Sequence, residues 1–191
     1  DVNATDADLP APLLTYSISA GADAAKFAIN ATTGVVTFVT APNYEAPTDV
    51  GADNVYNLQV TASDGARSTA QNIAVTVTPV NDAPVNDVPP SYSGDFRADG
   101  SLRQDGTVTA SPGLWHDVDL GDPAITYHYQ WEVADDASGT GAHDIGGATA
   151  ASYTLTAAEI GKFVRVKVYG SDGTVQTLAT GAFVPVTNLD P

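Results

Sequence analysis

Asp6-Ala7-Asp8 is followed by Thr15-Tyr16, then Ser63-Asp64-Gly65, then Val80-Asn81-Asp82-Ala83-Pro84. The same order returns as Asp117-Val118-Asp119, Thr126-Tyr127, Ser171-Asp172-Gly173 and Val186-Thr187-Asn188-Leu189-Asp190-Pro191. A chain that carries one spaced pattern twice folds as two structural units in series. The length of 191 residues gives each unit roughly a hundred residues, enough for a small core. We therefore expect domains at 1–85 and 86–191. The repeated residues are mostly carboxylates beside turn residues. Several carboxylates that converge need a cation, and the hard cation that takes many oxygen ligands is Ca2+.

The charge balance points the same way. Seven Lys and Arg stand against 23 Asp and Glu, a formal charge of −16, which repels nucleic acid and anionic membranes and attracts cations. Charged residues are nevertheless only 16% of the chain, so this is a folding sequence and not an acidic tail. Cysteine is absent, which excludes disulfides and thiolate metal sites. No apolar run approaches the roughly 18 residues of a membrane span, and membrane insertion is not expected.

The periodicity is that of short strands. Leu14–Ile18, Gly34–Phe38, Val55–Ala62, Asn72–Val77, Ile125–Val133, Ser152–Leu155, Phe163–Tyr169 and Ala179–Val186 alternate apolar with small or polar residues, as half-buried strands do. Gly, Pro, Asn and Asp punctuate them at the intervals of a sandwich. The expected fold is all-β: two tandem Greek-key β-sandwiches joined by a short Pro-rich linker within 81–90. One helical turn is expected at Thr156-Ala157-Ala158-Glu159, where Thr156 and Glu159 have capping-box spacing. Trp131, in the middle of an alternating strand, is the expected core tryptophan.

Ala4-Thr5-Asp6-Ala7-Asp8, Leu14–Ile18, Phe27-Ala28-Ile29 with Thr33-Gly34-Val35-Val36, Tyr44-Glu45, Ala62–Gly65 and Val80–Pro84 together resemble a bacterial cadherin-like repeat over residues 1 to about 85. The resemblance implies calcium ligands at both ends of the unit. Asp6, Asp8 and Asp64 would bind toward a preceding domain, and Glu45, Asn81 and Asp82 toward the following one, where Asp117, Asp119 and Asp172 would complete the set. Two departures matter. Pro79 stands where the eukaryotic cadherin linker pattern carries an Asp ligand, and only five residues precede Asp6, so the first sandwich is expected to lack its first strand.

The second half resembles the immunoglobulin-like repeats found in tandem in large secreted RTX-type adhesins. The residues that carry this are Tyr127–Trp131, Ile145–Thr149, Ser152–Thr156, Ile160–Val166 and Val186–Pro191. Taken with the first half, it implies a calcium-stabilised structural extender of a bacterial cell-surface adhesin, secreted, acting in adhesion and biofilm, with neighbouring repeats of the same chain as partners. The alternative is a module of a surface or polysaccharide-degrading system that itself binds a host glycan or protein. That alternative needs exposed aromatics, and Tyr44 and Tyr92 are the candidates. No enzyme is expected: there is no Ser-His-Asp arrangement, phosphate loop or dinucleotide fingerprint. Asp135-Asp136 falls in a Gly- and Ser-containing loop, and His116, His128 and His143 have no second ligand at zinc spacing.

Overall fold

The computed structural model describes residues 2–6, 13–119 and 124–188. The chain is all-β and divides into two compact units, Asp1–Val80 and Asn81–Pro191. This boundary lies five residues before the expected one. No helix among the described residues is long and apolar enough to cross a membrane.

The first unit contains β1 (Thr15–Ala20), β2 (Phe27–Ile29), β3 (Val36–Phe38), β4 (Val55–Ser63) and β5 (Ser68–Thr76). The strands β1, β4 and β5 form an antiparallel sheet in the order β1-β4-β5, and β2 pairs with β3. Alternation along β4 sends Tyr56, Leu58 and Val60 into the core. The β2–β3 hairpin supplies the opposite wall, with the Phe27 and Phe38 rings 4.5 Å apart and Tyr56 edge-on to Phe38 at 5.1 Å. Gln59 on the outer face bonds Asn72 and Ser19 instead.

Two buried aspartates hold the long connections. The Asp23 carboxylate accepts the N–H groups of Val50 (2.7 Å) and Asn57 (2.8 Å). Asp49 accepts those of Gly51, Asp53 and Asn54. Burial works to raise the Asp49 pKa, but the N–H groups outweigh it and hold the carboxyl below its usual range. A depressed folded pKa gives stability that is complete above the unfolded value of about 3.9 and is lost as pH falls through the folded value. In Asp49→Asn that acid-dependent component should disappear from the first unit. Urea midpoints measured between neutral and strongly acid pH check this, and an unchanged pH profile in the variant would refute it.

The second unit contains β6 (Val85–Val88), β7 (Ser91–Gly94), β8 (Leu102–Arg103), β9 (Thr107–Ser111), β10 (Leu114–His116), β11 (Thr126–Ala134), β12 (His143–Asp144), β13 (Ser152–Thr154), β14 (Phe163–Ser171), β15 (Gln176–Thr180) and β16 (Val184–Thr187). One sheet runs β12-β11-β14-β16-β8 with β15 also on β14; a second runs β13-β9-β7; β6 pairs with β10. The two larger sheets close on Trp131, which is 0% exposed. Its ring lies 5.8 Å from Tyr92 and 5.9 Å from Tyr153, and its Nε1–H donates to the Ala150 carbonyl at 3.0 Å. The expected turn at Ala157–Glu159 is present with both halves of its capping box.

Several expectations need correction. Residues 85–88, read as linker, form β6, whose register places Trp115 opposite Asn86 and His116 opposite Val85. Residues 179–186 are not one strand but β15 and β16. At Gly181, between the two strands, the Tyr92 hydroxyl approaches so closely that it leaves no room for a Cβ. Tyr92 is therefore half-buried against the core and not an exposed aromatic. Its hydroxyl donates to the Ala182 carbonyl (2.9 Å) and accepts from the Val166 N–H (3.1 Å), and burial pushes its pKa up to about 12. Tyr92→Phe leaves the Val166 N–H without its partner, so the second unit should lose about 1–2 kcal/mol in urea denaturation. A midpoint equal to that of the parent would show that water takes over both bonds.

Candidate metal centre

The repeated sequence pattern corresponds to a repeated piece of structure. In the first unit Thr15 on β1 pairs with Ser63 and its hydroxyl donates to the Ser63 carbonyl at 3.2 Å; in the second Thr126 on β11 pairs with Ser171 and donates to its carbonyl at 3.2 Å. The hairpins that follow are equally matched. Ser63 Oγ bonds the Arg67 carbonyl and the Gly65 N–H, and Ser171 Oγ bonds the Val175 carbonyl and the Gly173 N–H. Gly65 (φ 92°) and Gly173 (φ 98°) take the left-handed turn position that favours glycine. Each hairpin aspartate spends one carboxylate oxygen on two backbone N–H groups: Asp64 Oδ1 on Ala66 and Arg67, Asp172 Oδ1 on Thr174 and Val175.

The second oxygen of Asp172 leads into an acidic cluster. Asp172 is 2% exposed. Its Oδ2 accepts from Asn81 Nδ2 at 3.0 Å. The Asp82 N–H donates to Asp119 Oδ2 at 2.7 Å, and the Asp119 N–H donates to Asp117 Oδ1 at 3.3 Å. Asn81, Asp82, Asp117, Asp119 and Asp172 thus lie on one connected set of bonds within the second unit. This is why Asn81 and Asp82 fold with the residues after them.

The electrostatics of the cluster are unresolved internally. The Asn81 amide, followed by the Thr174 and Val175 N–H groups, holds the Asp172 carboxyl below the usual carboxylate range, so it is ionised at neutral pH. Asp117 Oδ2 and Asp119 Oδ1 are buried with no hydrogen-bond partner among the described residues. A buried carboxylate oxygen left without a donor bears its full desolvation cost. Carboxylate and amide oxygens without nitrogen or sulfur donors match a hard cation such as Ca2+.

The remaining expected ligands belong to the first unit. Asp6 and Asp64 line one surface hollow of about 430 Å3 with Thr5, Leu14 and Arg67. The Arg67 and Ala66 N–H groups hold the Asp64 carboxyl below its ordinary range. Asp8 lies outside the described residues. Glu45 is on the β3–β4 connection of the first unit, where its N–H donates to Asn43 Oδ1 at 2.9 Å. Sequence reasoning missed the buried acids Asp23, Asp49 and Glu132. For Glu132 the signal was available only in three dimensions: Arg165 is its cross-strand neighbour, with Nε to Oε1 at 2.6 Å, and Lys167 Nζ is 3.5 Å from Oε2.

No family model matches the chain. It is 36% identical over 129 residues to human protocadherin Fat 1, a stretch that covers 63% of this chain and 2% of that protein. Among solved structures it is similar to human protocadherin-24 EC1-2, at 19% identity and a TM-score of 0.46, over 96% of this chain and 85% of that one. It is also similar to the protocadherin gammaB7 EC3-6 cis-dimer structure, at 16% identity and a TM-score of 0.40, over 97% of this chain and 42% of that one. The identity with protocadherin Fat 1 supports the presence of a cadherin-like repeat in this chain.

Proposed function

We propose that this chain is a calcium-stabilised extender segment of a secreted, RTX-type bacterial surface adhesin that serves adhesion and biofilm formation, its partners being neighbouring repeats of the same polypeptide. The observation that carries the calcium reading is the pair of buried, unpartnered carboxylate oxygens on Asp117 and Asp119. Asn81, Asp82, Asp117, Asp119 and Asp172 are the residues that would hold the ion in the second unit, and Glu45, Asp6, Asp8 and Asp64 are proposed as further ligands. Bound calcium would supply positive charge beside the Asp117 and Asp119 oxygens that have no donor. The backbone donors already spent on Asp172 Oδ1 and Asp119 Oδ2 fix those side chains before any ion arrives.

The expected result of a calorimetric titration of the chelator-stripped chain is saturable calcium binding, and Asp117→Ala should remove a stoichiometric class of sites while the second unit stays folded. Identical isotherms for parent and variant would overturn the assignment. The alternative of a glycan- or protein-binding module is not favoured, since Tyr92, one of the two aromatics it required, is packed on Trp131 and hydrogen-bonded at its hydroxyl.

A further inference from the structure

The chain contains Asp-Gly pairs at Asp64-Gly65, Asp99-Gly100, Asp105-Gly106 and Asp172-Gly173. A glycine has no Cβ to shield its amide nitrogen, so in this dipeptide the nitrogen reaches the aspartyl side chain with least hindrance. In three of the pairs the carboxylate is engaged. Asp64 Oδ1 accepts the Ala66 and Arg67 N–H groups, and Asp172 Oδ1 those of Thr174 and Val175. Asp99 Oδ1 accepts the Ser101 hydroxyl at 2.7 Å and the Ser101 N–H at 2.9 Å, and these hold its carboxyl below the usual range. Asp105 differs. It is exposed, and among the described residues its carboxylate accepts only from Gln104 Nε2, at 3.4 Å.

The backbone sets Asp105 apart as well. In the other pairs the glycine takes the left-handed position, at φ 92° for Gly65, 82° for Gly100 and 98° for Gly173. In the turn between β8 and β9 the aspartate takes it instead, at φ 60°, where an L-residue is strained. The turn is tied to the core through Leu155. The Asp105 N–H donates to the Leu155 carbonyl at 3.1 Å, and the N–H of the buried Leu155 donates to the Gly106 carbonyl at 3.0 Å.

We propose that Asp105-Gly106 is a site of spontaneous covalent modification, at which the aspartyl residue isomerises to isoaspartyl and the tie of the turn to Leu155 is loosened. The Gly106 amide nitrogen attacks Cγ of the neutral Asp105 carboxyl. A C–N bond forms, the amide proton and the carboxyl hydroxyl leave as water, and a five-membered succinimide closes. Water then opens the ring. Addition at the former side-chain carbonyl restores aspartate. Addition at the former main-chain carbonyl breaks its bond to nitrogen, so the chain runs through Cγ and the old main-chain carbonyl becomes a free carboxylate. One water is lost and one gained, nothing is oxidised or reduced, and mass is unchanged. Asp105 surrenders one long hydrogen bond to react, and the extra methylene relieves the left-handed turn while displacing the groups that bond Leu155. The inference is independent of the calcium reading, since Asp105 is not among the proposed ligands.

The test ages the whole chain in mildly acid calcium buffer at physiological temperature. Isoaspartyl carboxylates are then labelled with an L-isoaspartyl methyltransferase and a labelled methyl donor, and the label is assigned by peptide mapping. It should build up at Asp105 at least about tenfold faster than at Asp64, Asp99 or Asp172, because each of those must first give up charge-assisted hydrogen bonds. Asp105→Asn, which reaches the same succinimide by losing ammonia, should speed labelling at this position. Asp105→Glu, whose ring would need six members, should abolish it. In the labelled chain the Leu155 amide should exchange about tenfold faster than in the fresh chain. Equal labelling at the four pairs, faster labelling at any other pair, or no label at Asp105 would overturn the site. Label at Asp105 with an unchanged Leu155 amide would overturn the loosening of the turn.

Discussion

Trp131→Ala should lower the stability of the second unit by about 3–5 kcal/mol. The indole is fully buried between Tyr92 and Tyr153 and touches both sheets of the unit. Truncation removes that packing and leaves a void that β-sheet backbones cannot close, because the ladder β11–β14 is fixed over nine consecutive residue pairs. It also strands the Ala150 carbonyl, which accepts the indole N–H. At roughly 4 °C per kcal/mol for a unit of this size, the melting temperature should fall by about 12–20 °C. Trp115, the other tryptophan, also lies in the second unit and remains as a fluorescent reporter. Trp131→Phe keeps a ring between the two tyrosines and should cost distinctly less. Equal losses for alanine and phenylalanine would show that the indole hydrogen bond, not the packing, dominates.

Chelation should produce the second large effect. An ion that binds only the folded chain stabilises it by about 2.7 kcal/mol at a hundredfold excess over its dissociation constant, so calcium should raise the melting temperature of the second unit by about 10 °C. Asp119→Asn provides a test with a change of sign. An asparagine carbonyl can still accept the Asp82 N–H, while the charge and the unpartnered buried oxygen are gone. In chelator the variant should therefore be at least as stable as the parent, because one of several repelling carboxylates has been removed. In calcium it should be less stable, because a ligand is missing. Tryptophan fluorescence melts of both proteins in both buffers contain the whole comparison. If the variant is destabilised equally with and without calcium, Asp119 is a structural hydrogen-bond acceptor and the metal reading of this cluster fails.

What the sequence by itself determined is what local chemistry can enforce. The Ser-Asp-Gly turns at 63–65 and 171–173 form matching hairpins because hydroxyl, carboxylate and glycine close their bonds within four residues. The Thr156–Glu159 box works for the same reason. The long strands β4, β11 and β14 were legible because alternation over many residues is unambiguous, and Trp131 could be placed in the core from its position in one of them. Asp117, Asp119 and Asp172 were likewise legible as candidate ligands from their repeated spacing.

Only the tertiary structure decided the rest. Strands such as β8 (Leu102–Arg103) and β12 (His143–Asp144) are too short to show a period, and β6 lies in a stretch rich in Pro and Asn; each is a strand because a distant partner pairs with it. The burial of Asp23, Asp49 and Glu132 follows from donors that the fold brings to them, and an exposed loop aspartate looks the same in sequence. Asn81 and Asp82 read as linker, yet they fold with the second unit because Asp172 and Asp119, 91 and 37 residues away, accept their N–H groups. Spacing along a chain can nominate carboxylates for a shared site. Which of their oxygens lack a donor depends on backbone groups arriving from remote strands, and that is settled only when the sheets close.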